Sequence, residues 1–139
     1  MVNIDKYSFP ENFKYAENHF WISLEKNIAT VGITEYAANE TTEIMYIELP
    51  NINEIVKKDD EIGVMESIKT AIALYSPLSG KIIGVNEDVK ENPSLINTSS
   101  YKKGWILKIE IKNKEEMQKL FSNKDYVNYL RSELSYLAE

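Results

Sequence analysis

The chain has 139 residues, 43% of them hydrophobic and 27% charged, with nine tyrosines and two tryptophans as packing bulk. That is the composition of one globular domain with a core large enough to fold without disulfides or metal. The net charge of −6 and the absence of cysteine disfavour a nucleic-acid surface, which needs clustered Lys and Arg, and exclude disulfides, thiolate metal sites and cysteine nucleophiles.

In chain order, the opening "MVNIDKYSFPENF" has neither a signal-peptide core nor an Arg/Ser-rich transit pattern. The segments "FWISL" (20–24), "IATVGI" (28–33), "IMYIEL" (44–49), "EIGVMES" (61–67), 70–74, "KIIGVN" (81–86) and "WILKIEI" (105–111) read as strands. They are short, rich in β-branched and aromatic residues, and bounded by Asn, Pro, Gly or Asp. "TEYAANE" (34–40) is expected to be a short helix capped by Thr34, and "NPSLIN" (92–97) a turn or a single helical turn. Asn113 with Glu116, and Ser122 with Asp125, have capping-box spacing. Beyond Ser122, Tyr126, Val127, Leu130, Leu134 and Leu137 recur every three or four residues, as on one face of an amphipathic helix. No apolar run approaches the length of a membrane span. The expected class is mainly β, a small barrel or sandwich, with short peripheral helices and a C-terminal amphipathic helix. The single domain divides into a core at roughly 14–112 and a helical segment at 113–139.

"GVMESIKTAIALYSPLSG" (63–80) places Lys69 in a nearly chargeless run, between two strand-like stretches. The polar Ser67 and Lys69 suit an exposed hairpin tip, although no Gly or Asn-Gly marks a turn. A surface lysine often does no more than keep the surface wet. A lysine at a tip is also what a carrier requires, since an acylating enzyme must wrap the ε-amine and the finished arm must swing clear.

Six segments in order, at nearly gapless spacing, resemble the glycine cleavage system H protein family over essentially the whole chain. They are "KYAENHFWISL", "ATVGITEYA", "YIELP", "MESIK", "SPLSGKIIGVN" and "NPSLIN" followed by Tyr101, Gly104 and Trp105. The resemblance implies a barrel-sandwich hybrid of the lipoyl/biotinyl type, with the modified lysine capping a hairpin and Pro77 and Gly80 shaping the return. It implies lipoate in amide linkage on Lys69, with Glu66 and Ser67 recognised by the lipoylating enzyme. Ile68 reads as packing. Biotin carriers flank their lysine with methionines; here Ile68 and Thr70 stand beside Lys69, and Glu66 precedes it as in H proteins.

By the same resemblance the chain is not itself a catalyst. It would shuttle an aminomethyl group and reducing equivalents between glycine decarboxylase (P protein), aminomethyltransferase (T protein) and dihydrolipoyl dehydrogenase (L protein), after modification by a lipoate ligase or lipoyltransferase. A cysteine-free chain suits a dithiol arm, since a neighbouring thiolate would exchange with it. The expected protein is a monomer, cytoplasmic if bacterial and in the mitochondrial matrix if eukaryotic.

Departures from the family pattern are informative. Thr42, Asn53 and Asp59 stand where the family has glycines, and Asn and Asp tolerate left-handed backbone best. Phe20 replaces a glutamate and Ala73 an acidic residue, both near the family's cleft for the loaded arm. That arm ends in a cation, which apolar groups do not hold. Glu17 or Glu35 is a candidate substitute in space, and a solvated arm that manages without either acid is the other alternative. Without a substitute, the two apolar residues favour an H-like lipoyl carrier of another pathway, such as lipoate relay or lipoate-dependent sulfur oxidation. A third reading is an unmodified interaction module. His19, the one histidine, is expected to pack or hydrogen-bond near Trp21, and Trp105 to lie in the core. Nothing resembles a nucleophile elbow, a phosphate loop or metal-ligand spacing.

Overall fold

A computed structural model describes residues 4–138, with side chains placed as far as Leu134. The strands are β1 (Lys14–Tyr15), β2 (Phe20–Glu25), β3 (Ile28–Ile33), β4 (Ile44–Glu48), β5 (Ile55–Val56), β6 (Glu61–Ser67), β7 (Ala71–Tyr75), β8 (Gly80–Val85) and β9 (Leu107–Ile111). The helices are α1 (Glu35–Thr41), α2 (Glu87–Glu91), α3 (Leu95–Thr98), α4 (Glu115–Gln118) and α5 (Asn123–Ala138). Two antiparallel sheets result, one ordered β1-β2-β3-β9-β8-β5 and the other β4-β6-β7.

Alternation along the strands explains how the sheets are covered. In β9, Leu107, Ile109 and Ile111 are buried while Lys108 and Glu110 are exposed, the period of a strand with one face in the core. The first half of strand β2, Phe20 to Ile22, is buried on both faces. Phe20 and Ile22 enter the main core with Val31, Met65, Leu74, Leu78 and Ile82, and Trp21 points the other way into an aromatic layer with Tyr15 and Tyr126. Helix α5 supplies Tyr126 and Leu130 to that layer, with Val127 and Leu134 half-buried at its margin. This is the face its spacing predicts; the side chain of Leu137 lies outside the described residues. Trp105 is half-buried rather than a core residue, and Lys108 Nζ lies over its ring.

Helix starts follow local chemistry. Thr34 Oγ1 accepts from Ala37 N–H at 3.2 Å, and Ser122 Oγ from Asp125 N–H at 3.1 Å, each satisfying an orphan first-turn donor. The expected Asn113–Glu116 box is only half made. Asn113 caps Glu115 N–H, but the Glu116 carboxylate reaches across to Ser79, accepting from its N–H and hydroxyl at 2.8 Å each. Gly80 lies where β8 and β9 touch: a Cβ there would sit 2.2 Å from Glu110 O.

The three positions expected to need a left-handed backbone all have one. φ is 70° at Thr42, 76° at Asn53 and 75° at Asp59. Thr42 is the costly member, a β-branched residue at φ 70°, ψ −163°, in a region that is otherwise nearly glycine's alone. Asn97 clamps this turn. Its Nδ2 donates to Thr42 O (2.8 Å) and Ala38 O (3.1 Å), and its Oδ1 accepts from Ile44 N–H (3.0 Å).

Candidate functional site

Strands β6 and β7 form a hairpin whose register pairs Glu66 with Ala71, Met65 with Ile72 and Val64 with Ala73. Met65 and Leu74 are buried, anchoring the hairpin to the core. Beyond the last pair, Ser67 N–H donates to Thr70 O at 2.9 Å, which leaves Ile68 and Lys69 as the tip. Neither has a positive φ, so the turn is not one of the primed types and needs no glycine. That is why no turn signature marks it in the sequence.

Lys69 is exposed and, among the described residues, forms no ion pair. Glu66 is exposed on β6, opposite Tyr46 on one side and Ala71 on the other, and Ser67 is half-buried opposite Ile44. The tip therefore gathers Glu66, Ser67 and Lys69. Ile68 does not pack: it is 84% exposed. Its position in a two-residue tip puts it beyond the reach of either strand's neighbours. Met45 and Tyr46 are also exposed on β4 alongside.

Beside the hairpin lies a cleft of about 220 Å³. Strand β7 is the edge of its sheet, and its Ile72, Ala73, Leu74 and Tyr75 form one wall. The opposite wall is α1, where Tyr36 with Glu40, and Ala37 with Thr41, sit four residues apart on one face. The β1–β2 turn closes the end with Asn18, His19 and Phe20. Phe20 and Ala73, the two positions that depart from the family pattern, thus meet in one cleft. Phe20 is 1% exposed and belongs to the core.

The end turn is built around His19. Its N–H donates to Ala16 O and Ala16 N–H to Phe20 O, each at 2.9 Å, with His19 at φ 71° in the position that ends such a turn. His19 Nδ1 hydrogen-bonds Tyr126 OH at 2.8 Å, and Tyr126 OH lies 3.2 Å from Thr34 Oγ1. One phenol thereby ties α5 to both the cleft turn and the α1 cap. His19 thus hydrogen-bonds within the aromatic layer that also holds Trp21, whose Nε1–H donates to Ser100 O at 2.8 Å and whose ring stacks on Phe13. Burial holds the His19 pKa below the ordinary imidazole value, against an opposing pull from Glu133. Burial foremost, and then Glu40, raises the Tyr36 phenol.

Of the two candidate substitute acids, neither faces the cleft. Glu17 lines a separate pocket with Lys58 and Lys119, and Glu35 accepts from Ser8 N–H at 2.9 Å. The acid that does line it is Glu40. A helix capped at Thr34 puts Glu40 one turn after Tyr36, but nothing in the sequence marks which face of that helix meets the cleft. At the other end, Asn18 Nδ2 donates to Tyr75 O at 2.7 Å while its Oδ1 is buried without a partner.

Comparison with known proteins gives a consistent result. Residues 13–133 match the family described as Glycine cleavage H-protein. A glycine cleavage system H protein of Staphylococcus epidermidis is 44% identical over 117 residues, spanning 84% of this chain and 93% of its own. One from Carboxydothermus hydrogenoformans is 43% identical over 124 residues, 89% of this chain and 95% of its own. The crystal structure of a glycine cleavage system H protein from Mycobacterium marinum matches with a TM-score of 0.77 at 26% identity, over 86% of this chain and 97% of its own.

Proposed function

The chain belongs to the glycine cleavage H-protein family, a family of non-catalytic carrier subunits, and from that premise we propose that Lys69 bears lipoate in amide linkage. The observation that carries the reading is the placement of Lys69: exposed, free of ion pairs among the described residues, and on the tip of a hairpin rooted in the core by Met65 and Leu74.

The residues present fit the group. A strand rises about 3.3 Å per residue, so Ile72 to Leu74 lie roughly 10–16 Å from the tip. A lipoyl-lysine arm of about eleven backbone bonds, at about 1.2 Å each, reaches roughly 13 Å. The cleft wall it would meet is apolar, with Phe20, Ile33, Met65, Ile72, Ala73 and Leu74, which suits a hydrocarbon arm. When attached, the group supplies thiol–disulfide and group-carrying chemistry. The chain supplies presentation and shelter. Glu66 and Ser67, flanking the lysine, are the groups a lipoate ligase or lipoyltransferase would read.

On this reading the protein shuttles the aminomethyl group and reducing equivalents among glycine decarboxylase, aminomethyltransferase and dihydrolipoyl dehydrogenase. Its bacterial relatives make the cytoplasm the expected compartment. Phe20 and Ala73 favour a second reading, a lipoyl carrier serving another pathway, because neither supplies charge to the cleft. Two measurements on one sample separate these. Lipoylation of Lys69 by a ligase with lipoic acid, followed by glycine-dependent exchange with glycine decarboxylase, supports the first reading. Lipoylation without exchange supports the second, and an unmodified Lys69 refutes both.

A further inference from the structure

We infer that residues 4–10 are a latch on helix α1, and that this latch sets how often the cleft between α1 and β7 opens. The family match begins at residue 13, so these residues lie outside the part matched to the family. The base of the latch is fixed to α5 and β1. Ile4 is buried in the aromatic layer, Asp5 pairs with Arg131, Asn123 Nδ2 donates to Phe9 O at 3.2 Å, and Tyr15 OH donates to Pro10 O at 2.6 Å. Between these anchors the chain turns to α1. Ser8 N–H donates to Glu35 Oε1 at 2.9 Å, and Tyr101 OH donates to Ser8 O at 2.6 Å while accepting from Glu35 N–H at 3.2 Å. These bonds close a ring around the first residue of the helix. One turn on, Asn39 Nδ2 donates to Tyr7 OH, and the Tyr7 ring meets Tyr36 edge-on at 5.8 Å.

Glu35 and Asn39 sit four residues apart and face the latch together, while Tyr36, Ala37, Glu40 and Thr41 line the cleft. Helix α1 has seven residues, too few to hold its shape alone, and only Ala38 and Thr41 of them are buried. Its position therefore depends on what ties down its two ends. Asn97 holds the last turn through Ala38 O and Thr42 O, and the latch holds the first. Strand β7, the facing wall, is fixed by its ladder to β6, so α1 is the wall that can move. The inference rests on the carrier reading of Lys69 for its purpose: opening of that wall sets how readily the arm leaves its shelter for the next enzyme.

The chain has no cysteine, so a single one introduced by substitution reports opening without background. Ala73→Cys puts a thiol on the strand wall of the cleft, and Ala29→Cys puts one in the core, where Ala29 is wholly buried. The rate of reaction with a bulky maleimide is measured on the whole unlipoylated chain, with and without Glu35→Ala plus Tyr7→Phe. That pair cuts the latch from α1 and keeps its anchors Ile4 and Phe9. At position 73 the cut should speed the reaction about tenfold, the size of two hydrogen bonds lost from a local opening. At position 29 the rate should stay as it was. Glu35→Gln, which keeps an oxygen for Ser8 N–H, should restore most of the difference. An unchanged rate at position 73 would overturn the latch. Equal acceleration at both positions would also overturn it, by making residues 4–10 a contributor to global stability alone. In the lipoylated chain, cutting the latch should likewise speed alkylation of the reduced arm, and an equal rate would refute its bearing on the arm. Because the cysteine measurement involves no lipoate, a Lys69 that never accepts lipoate would overturn the carrier reading and leave the latch on the cleft standing.

Discussion

Replacing Thr42 by glycine should stabilise the protein, and the size of the effect follows from the backbone. Thr42 ends α1 at φ 70°, ψ −163°, where a Cβ is strained by about 1–3 kcal/mol. Glycine removes that strain but gains chain entropy in the unfolded state, a loss of about 0.5–1 kcal/mol. Nothing else of note is given up. The Thr42 side chain is exposed, and the bonds that hold the turn are backbone ones: Thr42 N–H to Asn39 O at 3.1 Å and Asn97 Nδ2 to Thr42 O at 2.8 Å. The net is a gain of about 1 kcal/mol, or roughly 3 °C in Tm for a chain of this length. Urea titration should show a higher midpoint at unchanged slope. Thr42→Ala, which keeps a Cβ, should gain little. A Thr42→Gly midpoint at or below that of the unsubstituted protein would refute the strain argument. So would an equal gain from alanine.

Two further outcomes test the cleft. The His19 pKa is held below its unfolded value by burial, so the unfolded chain binds the extra proton first and stability falls as pH drops below about 6.5. In His19→Asn, which tolerates the φ of 71°, that part of the fall should disappear from urea midpoints measured between pH 5 and 8; an unchanged profile would contradict it. Phe20→Glu, which restores the family's acid, should cost about 3–5 kcal/mol because it removes a core ring and buries a charge. Ala73→Asp at the half-buried cleft wall should cost under about 1 kcal/mol. Comparable urea midpoints for the two would show that Phe20 is not the core residue its burial indicates.

What could be read in the sequence was whatever local chemistry decides. Strand β6 appears with its expected ends, Glu61 and Ser67, and α5 begins after Ser122 because a cap and an apolar period coincide there. The left-handed turns at Thr42, Asn53 and Asp59 were legible because the family's pattern marks those positions for glycine. Other features depend on partners far along the chain. Strands β1 and β5 are two-residue segments defined by their pairing with β2 and β8, so no period exists to detect. Helix α2 is five residues long, started by Asn86 Oδ1 accepting from Asp88 N–H, and too short to show a repeat. Glu116 looked like a local cap and instead bonds Ser79, thirty-seven residues away. In the candidate site, the tip lysine was legible from its motif. Which acid enters the cleft was not, because Glu17, Glu35 and Glu40 differ only in where a turn and a helix face point them.

The central claim is the role of Lys69, and peptide mass spectrometry addresses it most directly. The full chain is made with a lipoate ligase and lipoic acid, digested, and compared with Lys69→Arg prepared in the same way. The account predicts a lipoyl adduct confined to the peptide containing Lys69 and absent from the arginine variant. An unmodified Lys69, or an adduct on another lysine, would contradict it.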